Sequence, residues 1–212
     1  MGTTHIVSTE KRAVRLCFIL AFLLAFLLTA GMYQRADAAE QAGLQEHLAQ
    51  EVLRFHVLAN SDSSGDQELK LKVRDAVLSM LEEDMPESAN ADETKAWVRA
   101  HIDEIEDISR KTVADSGAGY PVSAAVTTCW FPDRTYGDVT FPAGNYEALR
   151  IEIGAAQGHN WWCVIYPGLC FMDTTNAVMP DESRRRLKNV LTEEEYSRMT
   201  ADTDFKISWF FW

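Results

Sequence analysis

Hydrophobic positions along this chain follow two different periods, and the boundary between them divides it. Val52 to Ala59 is rich in β-branched and aromatic residues and reads as a strand. It empties into the polar stretch Asn60 to Gly65, after which Leu69, Val73, Ala76, Val77, Met80 and Leu81 recur at the three-and-four spacing of one buried helix face. Asn60, Ser61, Asp62, Ser63 and Ser64 all carry side-chain oxygens that bond nearby backbone, so they end the strand and offer acceptors to the helix start. Ser64 followed by Gln67 fits a capping box, and Glu68 with Lys72 falls on the wet side. Burying each aliphatic side chain is worth about 1.5–3 kcal/mol before entropy. This strand, turn and helix is therefore the predicted spine of the core.

Ala39 to Gln50 reads as a helical lead-in. Beyond the spine, Glu82, Glu83, Asp84 and Glu87 surround Pro86, which stops the helix and makes a solvated connection. Asn90 with Glu93 is a second capping box, opening one helix that is predicted to run to about Asp115, with Gly117 at its C-terminal cap. Trp97, Val98, Ile102, Ile105 and Ile108 form its inner stripe. Asp103, Glu104, Glu106 and Asp107 face outward, either as a solvated face or as a dock for a basic partner.

From Pro121 the period becomes two. Val122 to Phe131 is a strand, Val139 and Phe141 alternate with polar neighbours, and Leu149, Ile151 and Ile153 alternate with Arg150 and Glu152. Asn160 to Tyr166 pairs most simply with the preceding strand across the loop Gly154 to His159. Consecutive hairpins predict an α+β fold: a single domain whose mostly antiparallel sheet carries two main helices. Two short helices, Ser183 to Val190 and Thr192 to Met199, follow the loop Thr174 to Glu182, the second with Thr192 and Glu195 as its capping box.

The first 38 residues form a separate class. Lys11, Arg12 and Arg15 flank Leu16 to Leu28, an apolar run of 13 residues, and Ala36, Asp37 and Ala38 make a small-residue cleavage site. A cleaved signal peptide over residues 1–38 is expected, with residues 39–212 as the exported domain. The alternative is an uncleaved anchor, because extension to Met32 reaches 17 residues. Either way the basic flank stays in the cytoplasm.

The chain carries a net charge of −12, and the leader holds four bases and two acids, leaving −14 on the exported part. That charge repels nucleic acid and anionic lipid. No nucleic-acid partner is expected, and the membrane is met only through the leader or a partner. Arg184, Arg185, Arg186 and Lys188 then pair with the acidic surface of their own domain. Export also bears on the cysteines. Cys163 and Cys170 flank a turn at Pro167 and Gly168, and either form a disulfide or remain buried thiols; an oxidising compartment favours the disulfide. Cys129 is left over, as a small core residue.

The run LRFHVLANSDSSGDQELKLKVRDAVL, the run YGDVTFPAGNYEALRIEIGAAQGHNWWCVIYPGLCF from Tyr136 to Phe171, and the terminal FKISWFF from Phe205 resemble, in order, the stage II sporulation protein R family of endospore-forming bacteria. The resemblance implies a secreted signal, made in the forespore and released into the space between forespore and mother cell. It implies, further, that this signal activates a membrane-embedded aspartic protease of the mother cell through its extracytoplasmic part, and that the protease then matures a sigma factor precursor.

Residue chemistry offers few rivals. His56 with Asp62 or Asp66 would be a base and its orienter, but no nucleophile elbow accompanies them. Asn60, Asp62, Ser64 and Asp66 alternate as calcium ligands do, yet lack the closing glutamate and central glycine, so capping accounts for them better. His159 beside Cys163 suggests zinc or thiol chemistry, which a disulfide to Cys170 would remove. No metal or cofactor is expected. His159, Asn160, Trp161 and Trp162 remain as the dense polar and aromatic cluster. Adjacent strand tryptophans face opposite sides, so one suits the core and the other a partner. These four are the expected partner-binding residues; Trp209, Phe210, Phe211 and Trp212 carry the same ambiguity. The competing classes are a cell-envelope hydrolase using His56, Asp62 and His159, and a peptidoglycan or carbohydrate-binding module stacking sugars on the paired tryptophans.

Overall fold

The computed structural model describes residues 3–87, 90–171 and 181–201. The expected loop at Thr174 lies largely outside these residues, and the aromatic tail from Phe205 lies wholly outside them. Two compact units divide the chain, one up to Leu44 and one from Gln45 onward.

The described residues of the first unit are helical, part of α1 (Thr3–Glu51). Its apolar residues, from Leu16 to Tyr33, stand exposed. Thr29 turns its hydroxyl back onto the carbonyls of Ala25 (3.0 Å) and Phe26 (2.9 Å), which hides its one polar group within the apolar run. The segment is long and apolar enough to cross a membrane, compatible with a signal sequence or an anchor.

The second unit takes in the last turns of α1 and everything after them. Its strands are β1 (Leu53–Leu58), β2 (Val122–Phe131), β3 (Arg134–Tyr136), β4 (Val139–Phe141), β5 (Gly144–Ile153) and β6 (Asn160–Tyr166). Its helices are α2 (Ser64–Asp84), α3 (Ala91–Ala100), α4 (Ile102–Asp115), α5 (Asp181–Val190) and α6 (Glu193–Ala201). The fold is α+β, with six helices among the described residues and a mixed, mostly antiparallel sheet in the order β2-β5-β1-β6.

Strand β1 is buried along its whole length because it lies inside the sheet with both faces covered. One face presents Phe55, Val57, Leu149, Ile151, Ile153 and Ile165 to Leu69, Val73, Val77 and Leu81 of α2, with Val98 and Ile105 closing the core. The predicted spine is thus the observed one. Its helix is capped one residue earlier than the capping-box pattern suggests: the Ser63 hydroxyl accepts the Asp66 N–H (3.2 Å).

Two sequence expectations fail on tertiary grounds. Strand β6 pairs with β1 and not with β5, while β5 runs parallel to β1 on its other side. The six-residue loop 154–159 steps over the end of β1, held there by Gln157 N–H on the Asn60 carbonyl (3.2 Å) and Gly158 N–H on the Ala59 carbonyl (2.9 Å). The single helix expected from Asn90 to Asp115 is divided at His101, whose ring stacks on Trp97 at 3.9 Å and returns Nδ1 to the Trp97 carbonyl (2.8 Å). Both outer ends of that pair are as predicted. Asn90 caps the Glu93 N–H (2.9 Å), and Gly117 adopts φ +77° so that Ala118 N–H reaches the Val113 carbonyl (3.2 Å).

The Cys163–Cys170 disulfide is formed, with Cα atoms 5.3 Å apart. Cys170 reaches it from a short 3-10 turn, Leu169–Phe171, and not from a returning strand. The basic run of α5 pairs within the domain: Arg184 clasps Asp138 with two bonds (2.6 and 2.9 Å), and Arg186 bridges Glu87 and Glu182.

Candidate functional site

The polar loop after β1 and the loop after β5 leave the same end of two parallel strands, so they meet. Asn60 joins them: its side-chain oxygen accepts the Ala155 N–H (2.9 Å) and its amide donates to Asp66 (2.9 Å). Asp62 Oδ1 accepts both the backbone N–H (2.6 Å) and the ring Nδ1 (2.5 Å) of His159. Lys70 Nζ donates to the His159 carbonyl (2.9 Å) and to Gln67 (2.6 Å), and Gln67 donates to the Ser61 carbonyl (3.0 Å). These bonds favour the ionised carboxylates. The two bonds from His159 hold the Asp62 carboxyl below its ordinary range, and those from Ser61 and Asn60 do the same for Asp66. Burial lowers the Lys70 ammonium. The fit is close at Gly158, where an added Cβ would stand 2.2 Å from the Ser61 carbonyl oxygen.

His159 leads from this platform into β6 with its side chain 81% exposed. Asn160 follows, half-buried, opposite Leu58. Trp161 turns to the helical face, edge-on to Phe55 at 5.7 Å, with the Arg74 guanidinium 5.0 Å from its ring. Trp162 turns to the other face, stacked on His56 at 5.0 Å and edge-on to Phe131 at 4.8 Å. The two rings are half-buried on opposite sides, so they form no common stacking platform for a sugar.

Behind Trp162 lies a feature that local sequence does not announce. Arg54 is completely buried, its guanidinium carbon 4.3 Å from the Phe131 ring centroid, 4.9 Å from Tyr146, 5.4 Å from Phe141 and 5.9 Å from Tyr136. Among the described residues it makes one hydrogen bond, to the Tyr136 hydroxyl (3.2 Å), while Nε and Nη1 have no partner. Burial lowers its pKa. On the same face His56 lies 3.3 Å from the Cys129 sulfur through Nε2, with Nδ1 unpartnered. Burial first, then the Arg150 and Arg54 charges, lower His56 to about 4. Burial raises the Cys129 thiol.

These shifts decide the chemistry. A nucleophilic cysteine needs a lowered thiol pKa and a basic imidazole; here both move the opposite way, so the pair is neutral. The hydrolase candidates do not assemble either. Asp62 is bound to His159, whereas His56 is enclosed by Cys129, Trp162 and Phe131. Among the described residues no three His, Cys, Asp or Glu side chains gather as metal ligands. What the loops do form is a preorganised surface with a projecting imidazole.

Alternation along β1 set Arg54 and His56 on the face opposite Phe55. The ring cage was hidden because Phe131, Tyr136, Phe141 and Tyr146 come from four other strands.

The model of the family described as Stage II sporulation protein R matches residues 49–176. The chain is also similar to the Stage II sporulation protein R of Bacillus subtilis (strain 168), with 33% identity over 196 residues, 92% of this chain and 87% of that protein. No solved structure matches the chain.

Proposed function

The chain belongs to the stage II sporulation protein R family, and from that premise we propose that it is a secreted signal from forespore to mother cell that activates a membrane-embedded aspartic protease. A role in sporulation follows from the family itself. The partner, the compartment and the processing of a sigma factor precursor are the proposal. The apolar N-terminal helix delivers or tethers the acidic body across the forespore membrane. In the space between the two cells that body acts by contact, without catalysis of its own.

The observation that carries this reading is the bonded loop pair beneath His159. Its backbone and ring are both fixed by Asp62, and its carbonyl by Lys70. An exposed side chain held this firmly loses little freedom on docking. Activation is a population shift: the signal binds the active protease conformation better than the inactive one. A tenfold preference requires about 1.4 kcal/mol of differential contact, within reach of one well-placed aromatic. Gly158 to Trp162 is the contact loop.

Binding of the exported protein to the extracytoplasmic part of the protease tests this. We expect His159→Ala and Trp162→Ala each to weaken binding while Asp103→Asn, on the exposed face of α4, leaves it within about twofold. Binding to purified peptidoglycan with none to the protease would overturn the reading.

A further inference from the structure

At the far end of β6 from His159, the C-terminal end of α2, the end of β6 and the first turn of α5 enclose a groove of about 420 Å3. Leu81, Met85, Ile165 and Tyr166 line its apolar part, and Glu82, Glu87 and Glu182 its rim. Among the described residues the rim's one cation, Arg186, is already committed to Glu87 (2.7 Å) and Glu182 (3.1 Å).

Electrostatics at this end run against the chain's own stability. A helix C-terminus carries partial negative charge and favours cations. The last turn of α2 holds no base, and it carries Glu82, Glu83 and Asp84. All three are exposed, and among the described residues none of them forms an ion pair. Their charges therefore add to the dipole without an ion-pair partner among the described residues.

We propose that this groove binds a short lysine- or arginine-bearing peptide segment of a partner protein. An aliphatic side chain of that segment rests on Met85 and Pro86, and its cation lies between Glu82 and the carbonyl end of α2. Charge complementarity selects the occupant: Glu82, Glu87 and Glu182 against Arg186 leave the groove with excess negative charge, which an acidic or neutral peptide would not answer. The site stands apart from the contact loop and does not depend on the partner being the protease.

The test uses the full chain in nonionic detergent and a fluorescein-labelled, amidated Lys-Leu-Lys-Leu-Lys peptide as probe, read by fluorescence anisotropy at 0.05 M and 0.15 M salt. Glu82→Gln with Glu87→Gln should weaken binding about three- to tenfold, the scale of two exposed ion pairs. Asp103→Asn with Glu104→Gln removes the same charge from the exposed face of α4 and should leave affinity within about twofold. All four positions are exposed, so folding is not at stake. Equal losses in the two double variants would overturn the proposal by tracing binding to the overall negative charge of the chain, and so would absence of binding. A chain ending at Ala201 should bind the probe as the full chain does. Tighter binding by that chain would show that the groove serves the protein's own terminus.

Discussion

Replacing Arg54 by methionine and, separately, by alanine measures what a buried cation contributes when rings replace a carboxylate partner. Desolvating the charge costs several kcal/mol in real proteins. Each of the two unpartnered donors, Nε and Nη1, adds about 1–3 kcal/mol. Against this stand ring contacts worth about 0.5–2 kcal/mol each, of which the two nearest, Phe131 at 4.3 Å and Tyr146 at 4.9 Å, are the strongest. One hydrogen bond to Tyr136 adds about 1.5–3 kcal/mol. The two sides nearly cancel. Methionine keeps most of the volume and removes the charge, so Arg54→Met should be neutral or stabilising by up to about 2 kcal/mol. Alanine leaves the cage empty, and Arg54→Ala should cost about 2–4 kcal/mol. Urea unfolding at pH 7, followed by tryptophan fluorescence, reads both. Because the Arg54 charge helps to depress His56, the methionine variant should also show an upward-shifted His56 titration by NMR. A methionine variant as unstable as the alanine one, with His56 unmoved, would refute the reasoning.

Three more perturbations follow from the same geometry. His56 is lowered from 6.5 to about 4, so the folded protein binds fewer protons than the unfolded chain between those values; stability is intact above pH 6.5 and falls by about 3 kcal/mol as pH drops to 4. His56→Phe should flatten that slope in urea midpoints measured from pH 7 to 4, and an unchanged slope would contradict the assignment. Gly158→Ala brings a Cβ against backbone of the Ser61 turn and should cost about 1–3 kcal/mol while detaching His159 from Asp62, read as loss of hydrogen-exchange protection at the His159 amide. Cys163→Ser with Cys170→Ser opens a loop spanning a separation of 7 residues and should lower stability by about 2.5 kcal/mol. A thiol count in denaturant should rise by two when the native protein is reduced, and no rise would refute the bridge.

Sequence conveyed the local features faithfully because they are settled within a few residues. The alternation of β2 from Val122 to Phe131, the buried face of α2, the Asn90 cap and the Gly117 turn all depend on neighbours in the chain. The break at His101 depends on a ring bond back to Trp97, which no periodicity encodes. Adjacency in sequence suggests a hairpin between β5 and β6, whereas Asn60 and Ala59 capture the loop 154–159 and carry it past β1. The polar residues after β1 have the composition of helix caps. Ser63 is one; Asn60 and Asp62 instead bond the loop after β5, with Asp66 holding Asn60, and that bonding is what holds His159 in place.

Processing of the precursor in a host that lacks sporulation genes tests the central claim most directly. The membrane protease and its sigma factor precursor would be co-expressed with and without this chain, and conversion to the mature form scored by immunoblot. Conversion that requires the exported chain, and that falls when His159 and Trp162 are replaced by alanine, is the predicted result. Conversion that proceeds equally in its absence, or that occurs only when the chain is kept in the cytosol with its cysteines reduced, would contradict the account.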